Sequence, residues 1–185
     1  MSDTSTSTLP AGTWTVDTVH STVGFTVRHL MVSKVRGSFK DFSADIVTAT
    51  NPLDSKVTAI VQMASIETGD AGRDQHLRTD DFFDIENFPT MSFTSTGLEG
   101  AGSDYKLRGD LTIKGVTRPV TFDLEVNGVE RDPWGNTKSG FTLTGSILRK
   151  DFGMEYNAIL ESGGVMVGDK VNIEIDIEAA LDKAD

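Results

Sequence analysis

Apolar and polar residues alternate with a period of two through most of the chain from Thr13 onward. That alternation limits the fold more than any other feature, because it suits strands with one buried and one wet face. Val23, Phe25 and Val27 fall on one side of a first long strand, and Thr22, Thr26 and Arg28 on the other. Equivalent rows are Phe42-Ala44-Ile46, Val57-Ala59-Val61-Met63, Met91-Phe93 and Leu107-Gly109-Leu111-Ile113. Val120-Phe122-Leu124-Val126, Phe141-Leu143-Gly145-Ile147 and Val171-Ile173-Ile175-Ile177-Ala179 complete a set of about eight strands.

The turn clusters "TNPLDS", "EGAGSD", "KGVTRP", "RDPWGN" and "SGG" separate the rows and favour reversals between antiparallel neighbours. Only residues 65–89, "SIETGDAGRDQHLRTDDFFDIENFP", lose the period. There Asp70 is placed to cap a helix over 71–79, Asp80 a shorter turn, and Pro89 ends the segment. A further short helix fits "HLMVS" at 29–33.

Eight such strands must stack or close, since an open sheet exposes its edges. The row from Pro119 to Val129 would reach roughly 35 Å at about 3.3 Å per residue. Strands that long suit an extended barrel better than a sandwich, and no Cys-Trp-Cys immunoglobulin pattern is present. The expected fold is therefore all-β: an extended eight-stranded antiparallel barrel over residues 13–181, with one or two short helices across one end and a disordered tail over 1–12.

The 185 residues fit one domain. With no cysteine, disulfides, thiolate metal sites and cysteine nucleophiles are excluded. A formal charge of -11 opposes nucleic acid as a partner. The charge is uneven: from Asp17 to Lys40 four Lys/Arg face Asp17 alone, whereas from Glu67 to Glu86 seven acids outnumber Arg73 and Arg78. No apolar run nears the roughly 20 residues of a membrane span, so no stable membrane insertion is expected. The N-terminus has no signal-peptide pattern, which makes a cytoplasmic location the expectation.

A barrel of eight strands is wide enough to be filled by its own side chains or to hold one slender ligand. The inward rows contain Gly109, Gly145, several Ala and Val, and nearby Met63, Met91, Met154 and Met166. Small residues leave room and methionine adapts to irregular apolar shapes, which favours a hollow interior over a dry packed core.

The segments "WTVDTVHSTVGFTVRHLMVSKVRGSF", "RDQHLRTDDFFDIENFPTMSF", "LRGDLTIKGVTRPVTFDLEVNG" and "RKDFG" closely resemble the YceI-like family of polyisoprenoid-binding proteins, over about residues 13–180. The resemblance implies a lipocalin-like barrel whose long pocket takes a polyisoprenoid, an isoprenoid quinone or a fatty-acid-like amphiphile. It implies no catalysis and no cofactor, and it makes a homodimer an expected partner state. Many relatives are exported; the absence of a signal peptide here instead suggests a cytoplasmic carrier, store or sensor.

Energetics agree with a long guest. Burying a methylene contributes roughly 0.8 kcal/mol, while immobilising a ligand costs an estimated 4–15 kcal/mol, so a long chain binds where a short tail breaks even. The expected lining is Phe25, Val27, Phe42, Val61, Phe93, Leu111, Phe122 and Phe141, with His29 and Arg73 as headgroup contacts.

The three histidines raise an alternative, a zinc-type hydrolase or hydratase built on His20, His29 and His76. Their spacing matches no local ligand motif, and strand parity puts His20 and His29 on opposite faces. His20 reads as a strand anchor bonded to Asp17. Arg73, Asp74 and His76, with Asp80 at i+4 from the histidine, read as a polar lid or as pins holding the helix to the sheet. Phe82, Phe83 and Phe88 fit either core anchors or a pocket wall. A third reading makes this helical segment the docking face of a protein-interaction module. No nucleophile elbow, phosphate loop or dinucleotide fingerprint occurs.

Overall fold

The alternating rows do form strands. The computed structural model, which describes residues 9–184, has β1 (Gly12–His29), β2 (Ser33–Phe39), β3 (Phe42–Thr48), β4 (Lys56–Gln62) and β5 (Ile66–Glu67). The helix α1 (Ala71–Leu77) follows, then β6 (Thr90–Ala101), β7 (Asp104–Ile113), β8 (Val116–Arg131), β9 (Thr137–Leu148) and β10 (Val167–Leu181). Pairing runs β10-β9-β8-β7-β6-β4-β3-β1, and β1 pairs back onto β10, which closes an antiparallel barrel of eight strands.

Two strands are additional. β1 is long enough to use one edge twice: residues 12–15 pair with β3 and residues 23–29 with β2. β5 adds two residues to β2 and ends the ladder. The wall between β5 and β6 is therefore made by 68–89, not by a strand.

α1 starts where the sequence places it, with Asp70 accepting from the backbone N–H of Arg73. It stops at Leu77, and residues 78–89 follow as turns; the shorter turn expected after Asp80 is present, without a hydrogen bond from the Asp80 side chain among the described residues. The helix expected over 29–33 is absent. His29 and Ser33 are paired strand ends joined by a three-residue loop of Leu30, Met31 and Val32, in which the φ angles of 53° at Leu30 and 59° at Met31 turn the chain and the Val32 N–H donates to the His29 carbonyl.

Asp17, Val19, His20 and Ser21 build a bulge in β1, where the register against β10 jumps between Asp17 and Thr22. Asp17 Oδ1 accepts from the backbone N–H of Val19 and of His20, and Ser21 Oγ accepts from the N–H of Glu178. "VDTVHS" is thus a local device that re-aims the strand.

At the end of the barrel opposite α1, Trp14 is 1% exposed and donates its indole N–H to Thr48 Oγ1 at 2.9 Å. It packs edge-on to Phe141 among Ile46, Ala179 and Leu9. Leu9 and Pro10, expected within the tail, belong to this end: the Pro10 carbonyl accepts from Thr48. The rest of the expected tail, residues 1–8, lies outside the described residues.

Candidate ligand-binding site

The barrel encloses a cavity of about 570 Å³, inside the roughly 300–1,000 Å³ typical of small-molecule sites. Every strand of the ring contributes apolar side chains to it, from Val23 and Phe25 on β1 to Ile173 and Ile175 on β10. All eight apolar residues named from the alternation lie on its wall, as do His29 and Arg73.

The interior is hollow for a reason other than the one the glycines suggest. A methyl group on Gly109 would come 2.3 Å from Phe93 Cζ, and one on Gly145 would come 2.8 Å from Phe122 Cδ1. These glycines do not leave open space; they are seats for aromatic rings. Phe93 and Phe122 then meet edge to face at 5.7 Å, so the rings form part of the wall and not of a central plug. The remaining room comes from the aliphatic rows and from the directly paired Ala44 and Ala59.

Charged and hydrogen-bonding groups line both ends: Thr48, Ser55 and Lys56 at the Trp14 end, and His29, Arg73 and His76 at the α1 end. His29 reaches the wall there, and no side-chain hydrogen bond to its imidazole occurs among the described residues. Arg73 both lines the cavity and pins α1: Nε donates to Thr68 Oγ1 and Nη2 to the Thr68 carbonyl. Asp74 accepts from Thr68 N–H on the same strand end.

His76 bonds Asp81 at 2.7 Å, one residue beyond the Asp80 that helical spacing suggests, because the chain has left the helix by then. Its ring stands edge-on between Phe82 and Tyr156. Phe82 and Phe83 line the cavity, whereas Phe88 packs against Gly115 in the β7–β8 hairpin.

Arg149 was not singled out by the sequence. Its side chain, 4% exposed, donates to the carbonyls of Gly168, Met154, Tyr156 and Val167 and so ties the 149–167 segment over this end. Burial lowers the guanidinium's pKa from its usual value, and Asp169 at 3.4 Å opposes that shift. "RKDFG" signals a turn, and only the fold shows that its arginine is a bolt.

The three histidines do not converge. His20 faces outward near the other end, beside Lys138 and Glu178, away from the cavity that His29 and His76 line. A three-histidine metal site is thereby excluded as an arrangement. Asp17, His20 and Glu178 do bring three donor atoms within 4.8 Å of one another. Lys138 Nζ already lies 2.9 Å from Glu178 and supplies the balancing charge. The hydrogen bond to Asp17 raises the pKa of His20 from its ordinary value, and the same bond lowers that of Asp17.

Known proteins share this architecture. A UPF0312 protein of Staphylococcus epidermidis is 42% identical over 168 residues, covering 90% of this chain and 96% of that protein. The crystal structure of a Campylobacter jejuni YceI protein superposes with a TM-score of 0.73 at 35% identity, covering 84% of this chain and 90% of that one. A polyisoprenoid binding domain from Saccharophagus degradans shares the fold, with a TM-score of 0.69 at 15% identity over 91% of this chain and 98% of that one. The sequence pattern of the YceI-like domain matches residues 14–179, essentially the whole closed barrel, and the chain therefore belongs to the YceI-like family.

Proposed function

We propose that this protein binds a long, mainly linear apolar molecule inside the barrel and acts as its carrier, store or sensor without chemical turnover. The observation that carries this reading is the cavity with aliphatic and aromatic walls along its length and polar groups at its ends, His29, Arg73 and His76 at one and Lys56 at the other. Such a site rewards chain length through buried methylenes and leaves only a few groups to orient a head. A polyisoprenoid, an isoprenoid quinone or a fatty-acid-like amphiphile has this shape, and the fold shared with a domain described as polyisoprenoid binding supports the first of these.

Mass spectrometry of an organic extract from natively purified protein tests the reading. A reproducible prenyl compound at near-stoichiometric amount is the expected result. An extract without any lipid, from protein that also fails to take up a prenyl chain on incubation, would sink it.

A further inference from the structure

We propose that the β1–β2 turn and the neighbouring 158–166 turn form a docking face for an anionic lipid bilayer. The proposal rests on reading the cavity as a lipid site and names the surface from which that lipid is exchanged. The two turns are joined directly. Leu30 N–H donates to the Met166 carbonyl at 2.9 Å, Met166 N–H donates to the Ala158 carbonyl, and Ile159 pairs with Val165. Together they display Met31, Val32, Ile159 and Val165 to solvent, with Val32 and Ile159 each 84% exposed.

The turn geometry fixes this display. Leu30 and Met31 occupy the left-handed region, where Asn and Gly are favoured, so the apolar tip is held at a local cost of roughly 1–2 kcal/mol per residue. Val27, His29 and Val35 face the cavity, while Lys34 and Arg36 are exposed on the outer side; Arg28, directly opposite Lys34, is exposed and also borders the cavity. Among the described residues none of these three cations has a carboxylate within 4.0 Å.

In a protein of net charge -11, an apolar tip flanked by three cations against one exposed acid of the same face, Glu161, selects its partner. An anionic headgroup layer complements the cations, and the acyl boundary beneath it accepts the exposed side chains. A second copy docked through the same face would set these cations against their own kind, and a neutral bilayer leaves them without counterions. Docked in this way, the α1 end with Met166 and His29 opens toward the lipid, and an apolar guest need not cross water.

Co-sedimentation with vesicles of phosphatidylcholine alone, and of equimolar phosphatidylcholine and phosphatidylglycerol, tests the proposal. Wild type should bind the anionic vesicles alone, and more weakly as salt shortens the Debye length from about 30 to 10 Å. Each of Arg28→Gln, Lys34→Gln and Arg36→Gln should lower partitioning about fivefold. Val32→Asp combined with Ile159→Asp should abolish binding with the melting temperature unchanged.

Wild type that ignores anionic vesicles, or substitutions without effect on binding, would overturn the proposal. So would a double variant that merely turns a dimer into a monomer, since the patch would then belong to a second copy. Guest content, read separately by mass spectrometry, distinguishes the two readings. Loaded protein that ignores vesicles sinks docking alone, and protein that binds vesicles but never holds lipid sinks the proposed function.

Discussion

Phe25 lies over the backbone of Gly37, its direct partner across the β1–β2 ladder, so closely that a methyl group on Gly37 would come 2.3 Å from Phe25 Cζ. The ring is also part of the cavity wall and packs at 5.7 Å against Phe39. Gly37→Ala must displace the ring, and overpacking of this kind costs roughly 1–3 kcal/mol. Denaturant unfolding of Gly37→Ala, Phe25→Leu and the double variant checks this. The two changes should be non-additive, the smaller side chain recovering much of the loss.

Ala44 and Ala59 face each other across β3 and β4 on the cavity wall. Ala44→Phe with Ala59→Phe should fill the middle of the cavity and shorten the guest. Each methylene excluded weakens binding by about 0.8 kcal/mol, or roughly fourfold. The chain-length distribution of extracted lipid is the readout, and an unchanged distribution would move the guest away from these residues.

Removing the Arg149 guanidinium takes a donor from four buried or part-buried carbonyls, of which that of Val167 keeps Asn157 Nδ2. Arg149→Met should destabilise the protein by about 3 kcal/mol, and Arg149→Lys should recover little, because an ammonium cannot span the same fork. Thermal melts of both variants, with hydrogen exchange over 154–168, distinguish a local from a global loss.

The bond between His20 and Asp17 predicts a pH dependence with a defined sign. His20 has its pKa raised above the ordinary 6.5, so its stabilisation is fully present below that value and fades as pH rises through the raised folded-state pKa. Asp17 has its pKa lowered below the ordinary 3.8, so its share is present above that value and is lost as pH falls through the lowered one. The melting temperature of wild type should therefore exceed that of His20→Asn by more at pH 5.5 than at pH 8.5. Parallel curves would show that the pair carries no charge in the fold.

Relieving the left-handed pair in the β1–β2 turn should raise stability at the expense of membrane contact. Leu30→Asn with Met31→Gly replaces two poorly suited residues by the preferred ones, a gain of roughly 1–2 kcal/mol. The same variant should bind anionic vesicles less well, since Met31 no longer inserts. Melting and co-sedimentation on one preparation test both halves.

Strand parity made the cavity wall legible because a period-two pattern states which side chains share a face. Phe42, Val61, Leu111, Phe122 and Phe141 all follow it. Asp70 likewise marked the start of α1 through an intrinsic capping preference. The sequence was silent where one residue's role depends on a distant one. Gly109 and Gly145 read as gaps until Phe93 and Phe122 were seen to fill them. β2 was misread at its start because Leu and Met are poor markers of positive φ, so "HLMVS" resembled a helical turn. Arg149 could not be identified because its four acceptors lie between 5 and 19 residues away, brought together only by the fold.

Because β1 spends one edge on both β3 and β2, the ring of backbone bonds is continuous only around the Trp14 end of the molecule. Near α1, the stretch 68–89 bridges the circumference through the packing of Leu77 and Phe83, through Arg78 donating to the Ala64 and Ile66 carbonyls, and through Lys114 donating to the Asp80 carbonyl. That stretch is a panel in a hooped cask fastened without strand pairing: its release would cost packing and a few bonds and leave every stave fastened. A bulky tail admitted there would not require the cask to come apart.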